Sequence, residues 1–153
     1  MTAMDKLPTN VICQIGLVVR DVAATARAYA EVFGLPVPPV RMTGPQAETQ
    51  TRHRGQPTPG RAKLAFFDMG PLSLELIEPV DGPSTWREFL DAHGEGVHHV
   101  AFHIQGMAET VGFLESRGIP LVQRGEYRGG RYAYLDAAPQ LKVILELLEN
   151  DKA

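Results

Sequence analysis

The fold prediction begins from the stretch Gln14-Ile-Gly-Leu-Val-Val19, because this stretch and the segment after it have a similar second copy later in the chain. It is an apolar run rich in β-branched residues, typical of a buried strand, and an amphipathic segment that ends at Gly34-Leu-Pro36 follows it. His99-Val-Ala-Phe-His-Ile104 begins a second copy, whose helical pattern ends at Gly118-Ile-Pro120. The sequence therefore predicts a duplication in which each half opens with a strand and a helix.

The same order continues beyond the helix in each half. Ala65-Phe-Phe-Asp68 leads to Leu74-Glu-Leu-Ile-Glu78, and Ala133-Tyr-Leu-Asp136 leads to Leu145-Glu-Leu-Leu-Glu149. Both pairs predict hairpins, so each half consists of a strand, a helix and two or three further strands. Each half alone would leave a sheet edge and a face uncovered, and we expect the two halves to pair.

Capping residues predict where the helices begin and end. Asp21 is the expected N-cap of the first helix, and Gly34 is its expected C-terminal glycine. A short linking helix is predicted from Trp86 to Ala92, with Thr85 and Glu88 forming a capping box at its start.

Composition limits the classes of protein to which the chain can belong. With 153 residues it is expected to form one domain, and its net charge of -3 gives no overall attraction for nucleic acid or an anionic membrane. Cys13 is the only cysteine, which excludes an intrachain disulfide and a cysteine-based zinc site. Because no long apolar run or signal-like segment is present, we expect a cytoplasmic protein with no nucleic-acid or membrane partner.

The segment from Arg41 to Lys63 departs from the symmetry of the two halves. It holds five basic side chains against the single acid Glu48, together with several glycines and prolines. One interpretation is a solvent-exposed loop, and the other is a mobile cover whose positive charge holds an anionic substrate. A second basic cluster, Arg124, Arg128 and Arg131, stands at the equivalent place in the second half.

Four polar residues interrupt apolar strands at matching places in the two halves: Gln14 with His99, and Glu75 with Glu146. A carboxylate within an apolar strand is costly unless it is paired, protonated or bound to a cation, although a single strand glutamate often points to solvent. Two carboxylates, one imidazole and one amide oxygen would balance the charge of a divalent ion. The donor set suits Mg, Mn, Co, Ni, Fe or Zn.

Strand alternation gives expectations for the neighbouring histidines. His103 has the same parity as His99 and would share its face, whereas His98 would point to the opposite face.

The chain resembles the vicinal oxygen chelate superfamily over about residues 11–149. This family of paired βαβββ modules includes glyoxalase I, methylmalonyl-CoA epimerase, extradiol dioxygenases, and fosfomycin and bleomycin resistance proteins. The stretches that carry the resemblance are Gln14-Ile-Gly-Leu-Val-Val19, Leu74-Glu-Leu-Ile-Glu-Pro79, Gly96-Val-His-His-Val-Ala-Phe102 and Leu145-Glu-Leu-Leu148.

The resemblance implies an α+β fold in which two paired βαβββ modules form an open, incomplete barrel around a metal site. Module 1 would span about residues 11–80, a linking helix about 85–93, and module 2 about 96–149. The implied metal ligands are Gln14, Glu75, His99 and Glu146.

Departures from individual relatives narrow the implied chemistry. Glutamine at residue 14 disfavours the oxygen chemistry of extradiol dioxygenases, and the presence of ligands disfavours bleomycin-type sequestration. The ligand set is similar to that of one class of glyoxalase I. The stretch from Trp86 to Phe102 is closer to methylmalonyl-CoA epimerase, which typically has histidine at residue 14, glutamine at residue 75 and a second catalytic glutamate near Lys63.

We therefore expect a divalent-metal-dependent lyase or isomerase acting on a small anionic substrate. The substrate would bind the metal through one or two oxygens and lose a proton beside a carbonyl or from a hydroxyl, which yields a stabilised enolate or alkoxide. Glu146, which matches the base of glyoxalase I, and its partner Glu75 are the expected catalytic residues. The candidate substrate-binding residues are Arg54, Arg128, Arg131 and Tyr132, and the aromatic candidates for the pocket are Phe67, Phe102, Tyr132 and Tyr134.

Two other functions stay open at this stage. One is a racemase of the methylmalonyl-CoA epimerase type, and the other is a small-molecule-binding or resistance protein that keeps a metal without turnover. Paired modules can meet within one chain or across two, and we expect a homodimer. The sequence does not identify the metal, the substrate, or any use of glutathione or coenzyme A.

Overall fold

A ten-stranded mixed sheet forms the frame of the structure, a computed structural model that describes residues 3–152. The strands are β1 (Gln14–Val18), β2 (Arg41–Met42), β3 (Arg52–His53), β4 (Gln56–Pro57), β5 (Arg61–Asp68), β6 (Ser73–Val80), β7 (Gly96–His103), β8 (Leu121–Tyr127), β9 (Gly130–Leu135) and β10 (Ile144–Asn150). The helices are α1 (Val22–Phe33), α2 (Gln46–Thr49), α3 (Thr85–His93), α4 (Met107–Ser116) and α5 (Ala138–Leu141). Within residues 3–152, no helix is both long and apolar enough to cross a membrane.

The order of the strands reproduces the internal duplication. The sheet runs β2-β5-β6-β1-β7-β10-β9-β8-β3-β4, so β1 and β7 lie at its centre and pair antiparallel. Each of these strands has a parallel partner from its own half, β6 beside β1 and β10 beside β7. The predicted α+β fold of two βαβββ units is confirmed, and the sheet curls into a half-barrel.

Strand alternation separates the two faces of this curled sheet. Leu74 and Leu76 of β6 pack into the core beneath α1, while Glu75 between them faces the concave side. In β10, the residues on either side of Glu146 likewise pack into the core that includes Leu114 of α4. Helices α1 and α4 therefore cover the convex face. The concave face holds the polar side chains together with an apolar cluster in which Trp86 of α3 lies with Val18 and Ile77.

The helix boundaries confirm one predicted cap and correct another. The Asp21 side chain accepts a hydrogen bond from the amide of Ala24 at 2.9 Å, as expected for the N-cap of α1. At α3 the N-cap is Ser84, whose Oγ accepts from the amide of Arg87 at 3.0 Å. The predicted capping box was therefore placed one residue too late, and Glu88 is free to pair with side chains outside the helix.

The segment from Arg41 to Lys63 is structured and connects the two ends of the sheet. It begins in β2 on the edge of β5, passes through α2, and reaches β3, which pairs with β8 of the second half. Its residues Thr43, Glu48 and Thr51 line the space above the concave face. The segment therefore contains short strands and a helix rather than only loop, although many of its residues are exposed, as the first of the two interpretations expected.

Candidate metal centre

Four buried polar side chains converge on the concave face, and they come from the four central strands. His99 Nε2 lies 3.1 Å from Gln14 Oε1, 3.2 Å from Glu146 Oε1 and 3.5 Å from Glu75 Oε1. None of the four residues is more than 8% exposed. Because β6, β1, β7 and β10 are adjacent in the sheet, the duplication itself brings these four positions together.

Gly16 makes room for the imidazole at the middle of this cluster. It pairs with Glu75 of β6 on one side and with His99 of β7 on the other. A Cβ atom at residue 16 would lie only 2.0 Å from Cε1 of His99, far inside van der Waals contact. A glycine within a strand often marks such a close approach, and this signal was present in the sequence.

A β-bulge places His98 beside His99 rather than on the opposite face. Gly16 pairs with His99 but Leu17 pairs with Val97, so His98 is an extra residue in β7. The two imidazoles meet with 2.9 Å between their Nδ1 atoms. The expectation from strict alternation was wrong because the bulge interrupts the two-residue period.

The electrostatics of the cluster are unfavourable without a cation. Oε1 of Glu75 and Oε1 of Glu146 are buried and have no hydrogen-bond partner. Burial, together with the charge of Glu146, raises the pKa of Glu75 to about 8. Burial opposes the charged form of His99, but the negative charge of Glu146, whose Oε1 lies 3.2 Å from Nε2, and the charge of Glu75 outweigh it and raise the pKa of His99.

The residues present fit a divalent metal ion. The ligating atoms of Glu75, His99 and Glu146 all lie within 4.8 Å of one another. Neighbouring ligand atoms around a small divalent ion stand roughly 3 Å apart, which is close to the spacing around His99 Nε2. An ion at this place would also give a partner to the two unpartnered carboxylate oxygens, and the net charge of the two acids would balance it.

A cavity of about 780 Å³ opens above the cluster. Gln14, Glu75 and Glu146 lie in its wall, with His103 nearby in the lining. Its apolar and aromatic lining residues are Met42, Leu64, Phe66, Trp86, Tyr127, Tyr132, Tyr134 and Leu148. This volume lies within the range of small-molecule sites, which are roughly 300–1,000 Å³.

The structure brings only part of the predicted substrate-binding set to this cavity. Arg128 and Tyr132 line it. Arg54 lies outside the lining, where it is 58% exposed and pairs with Glu88 at 2.8 Å. Arg131 also lies outside the lining, and its guanidinium pairs with Glu149.

Strand alternation decides which aromatic side chains reach the cavity, and only two of the four predicted ones do. Tyr132 and Tyr134 line the cavity, whereas Phe67 and Phe102 belong to the two cores on the convex face. Phe66 lines the cavity instead, because it pairs with Glu75 in the neighbouring strand and shares its face.

The sequence also did not predict that Arg41 and Trp86 line the cavity. The sequence placed Trp86 at the start of the linking helix but held no signal that its side chain faces the cavity.

Helix α3 holds the two tyrosines of the cavity wall in place. Trp86 Nε1 donates to the Tyr134 hydroxyl at 3.1 Å. Gln123, which is fully buried, donates through Nε2 to the Tyr132 hydroxyl at 3.0 Å and accepts from the amide of Thr85 at 2.8 Å. These hydrogen bonds fix the positions of both tyrosine hydroxyls in the wall.

The sequence model of the Glyoxalase/Bleomycin resistance protein/Dioxygenase superfamily matches residues 13–134. The chain belongs to this superfamily. The matched range contains three of the four residues of the cluster, Gln14, Glu75 and His99.

The chain is also similar to individual proteins, one of them uncharacterized and the others solved structures of methylmalonyl-CoA epimerases. Uncharacterized protein YqjC of Bacillus subtilis (strain 168) is 32% identical over 92 residues, which cover 58% of this chain and just under two thirds, 66%, of that protein. Methylmalonyl-CoA epimerase from Mycobacterium tuberculosis is 20% identical with a TM-score of 0.63, covering 97% of this chain and 95% of its own. A variant of Streptomyces coelicolor methylmalonyl-CoA epimerase, in complex with 2-nitronate-propionyl-CoA, is 21% identical with a TM-score of 0.62, covering 92% and 97%.

These structures share the fold of the superfamily with this chain. Because their identities are near 20%, the similarity extends to the arrangement of strands and helices and not to a reaction.

The stability of the metal-free protein should fall as the pH rises from about 4.5, the ordinary pKa of a glutamate, to about 8, the raised pKa of Glu75. The folded protein holds a proton on Glu75 that the unfolded chain releases, so stability is lost as the pH passes through the raised pKa of Glu75. The raised pKa of His99 acts in the same direction, since its stabilising charge is lost at higher pH.

Thermal unfolding of chelator-treated protein across this range measures the effect. Glu75→Gln should flatten the decline, and an equally steep decline in that variant would show that other groups cause it.

Proposed function

We propose that this protein is a divalent-metal-dependent lyase or isomerase that removes a proton beside a carbonyl, or from a hydroxyl, of a small anionic substrate. The observation that carries the proposal is the pair of buried carboxylate oxygens of Glu75 and Glu146, unpartnered beside His99 in the wall of a cavity. Such an arrangement is costly to the fold, and a site of this kind is typical of function rather than of stability.

Gln14, Glu75, His99 and Glu146 are the residues that would hold the ion. When bound, a divalent ion supplies positive charge that stabilises a developing enolate or alkoxide. The protein must supply the proton acceptor, and the carboxylates in the cavity wall are the groups that can take a proton from a bound substrate. Glu146 is the proposed acceptor, and Glu75 is its symmetry-related partner.

The cavity lining supports a small substrate with an anionic group. Arg41 and Arg128 are lining residues of the cavity. A guanidinium group can bind a carboxylate or phosphate in a bidentate manner. The aromatic wall formed by Phe66, Trp86 and Tyr132 favours an apolar portion on the same molecule.

Glu146→Gln should reduce proton exchange to background, because the variant keeps the size of the side chain but cannot accept a proton. Exchange is measured as deuterium incorporated from D₂O into the methylglyoxal–glutathione hemithioacetal or methylmalonyl-CoA, with metal content determined in the same samples. Arg54→Ala is the control, since Arg54 lies outside the cavity lining. Full exchange in Glu146→Gln with metal retained would contradict the role of Glu146.

Arg128→Ala separates substrate binding from the proton-transfer step. We expect KM for an anionic substrate to rise by about 10-fold or more, with kcat changed less, because a charge-assisted contact to a remote group is lost. Arg54→Ala should leave KM unchanged, and equal effects of the two substitutions would count against an anion site at Arg128.

A racemase of the methylmalonyl-CoA epimerase type is the second candidate, and Glu48 favours it. Glu48 lies in α2 on the side of the cavity formed by the segment that connects the sheet ends. A racemase needs proton donors on both faces of a planar intermediate, and Glu48 would be a second acid. Lys63, near which the epimerase glutamate was expected, pairs instead with Glu78 at 3.6 Å.

Glu48→Gln distinguishes the two candidates. A racemase would lose inversion of methylmalonyl-CoA but keep proton exchange on one face, whereas a lyase or other isomerase would keep its turnover.

We also propose a homodimer. Val32 and Phe33 at the end of α1 are exposed, and so are Val37 and Val40 in the segment that follows. An apolar surface of this kind favours association. Light scattering after size-exclusion chromatography tests the proposal, and a mass near 16.8 kDa would contradict it.

A further inference from the structure

The imidazole of His98 makes a contact that the proposed reaction does not use. Its Nδ1 lies 2.9 Å from Nδ1 of His99, and the residue is 1% exposed. A hydrogen bond between two such nitrogens needs one proton, so one ring donates and the other accepts.

The surroundings of His98 restrict the charge state of its ring. Its ring packs edge-on against Phe89, with centroids 5.4 Å apart, and against Tyr134, with centroids 5.0 Å apart. Its Nε2 is buried without a hydrogen-bond partner. These neighbours favour a neutral ring, which offers one donor nitrogen and one acceptor nitrogen.

The opposite side of the His99 ring faces the acidic cluster. Nε2 of His99 lies within 3.1–3.5 Å of oxygens from Gln14, Glu146 and Glu75. For Nε2 to hold a cation through its lone pair, the ring must carry its proton on Nδ1. The atom that faces Nδ1 and can accept this proton's hydrogen bond is Nδ1 of His98.

We propose that His98 is a positioning residue for the metal ligand His99, because it accepts the Nδ1–H hydrogen bond and thereby fixes the tautomer whose Nε2 binds a cation. This inference rests on the metal site of the proposed function. The β-bulge that brings the two rings together would then serve ion binding, since strict alternation would place His98 on the other face.

Two substitutions separate the hydrogen bond from the packing of the ring. His98→Phe keeps an aromatic ring but removes the acceptor, and His98→Asn offers Oδ1 as an acceptor near the position of Nδ1. With Zn²⁺ as the probe and a competing chelator as the readout, His98→Phe should weaken binding by about 10–100-fold. His98→Asn should restore most of the lost affinity, even if the smaller side chain lowers thermal stability.

A spectroscopic measurement on the unaltered protein tests the same claim without a variant. Long-range ¹H–¹⁵N correlation spectra of the histidine rings, recorded with Zn²⁺ bound, should show the His99 proton on Nδ1 and Nε2 without a proton.

The possible failures are distinguishable. If the wild-type chain binds no Zn²⁺, the proposed function fails and this inference fails with it. If the wild type binds Zn²⁺ but His98→Phe binds it equally well, or if the bound form lacks the His99 Nδ1 proton, only the role of His98 is overturned.

Discussion

Gly16→Ala should weaken metal binding strongly and destabilise the fold. A Cβ at residue 16 would overlap His99 Cε1 at 2.0 Å, and the ring is confined on its other side by His98. The imidazole must therefore move away from the acidic cluster, or β1 and β7 must separate. Overpacking of this kind costs about 1–3 kcal/mol. We expect affinity for Zn²⁺ to fall by at least about 100-fold. This is the upper end of the loss of metal affinity when a residue that supports a metal ligand is replaced.

Gly112→Ala is the matched control for this prediction. Gly112 lies in α4, and a Cβ there meets nothing within 4 Å. Because alanine favours helix more than glycine does, the control should be as stable as the wild type or more stable by about 0.5–1 kcal/mol. Metal affinity near the wild-type value in Gly16→Ala would contradict the close approach of Gly16 and His99.

Glu75→Gln should have opposite effects on the metal-free and metal-loaded protein. Without an ion, the substitution removes one of two buried carboxylates that repel each other, so the free energy of unfolding at about pH 8 should rise by more than about 1 kcal/mol. With an ion, the substitution removes a charged ligand, and affinity should fall by more than about 10-fold. Denaturant unfolding with chelator, together with metal titration, measures both.

Glu31→Gln on the exposed face of α1 is the control for a general change of charge. It should alter neither quantity measurably. If Glu75→Gln destabilises the metal-free protein, Glu75 has a structural partner and the acidic cluster is not held for a cation.

The duplication and the four polar positions could be predicted from the sequence because both depend on local patterns. Gln14 and His99 occupy equivalent places in two similar strands, and Glu75 and Glu146 interrupt two others. Once the halves pair through β1 and β7, these positions must meet on one face. The convergence therefore follows from the repeat rather than from long-range contacts.

Other features depend on contacts that a local pattern does not contain. The bulge at His98 is a register shift between β1 and β7, and it appears only when the two strands are paired. Which arginines contribute charge to the cavity also depends on contacts between distant residues. Arg54 pairs with Glu88 of the linking helix, so a positive segment contributes less charge to the cavity than its composition indicated.

Anomalous diffraction from crystals grown with excess Ni²⁺ tests the central claim most directly. We predict one ion per chain, about 2.0–2.3 Å from Nε2 of His99 and from oxygens of Gln14, Glu75 and Glu146. A map with no anomalous peak at the cluster, in which the carboxylates of Glu75 and Glu146 turn to other hydrogen-bond partners, would contradict it.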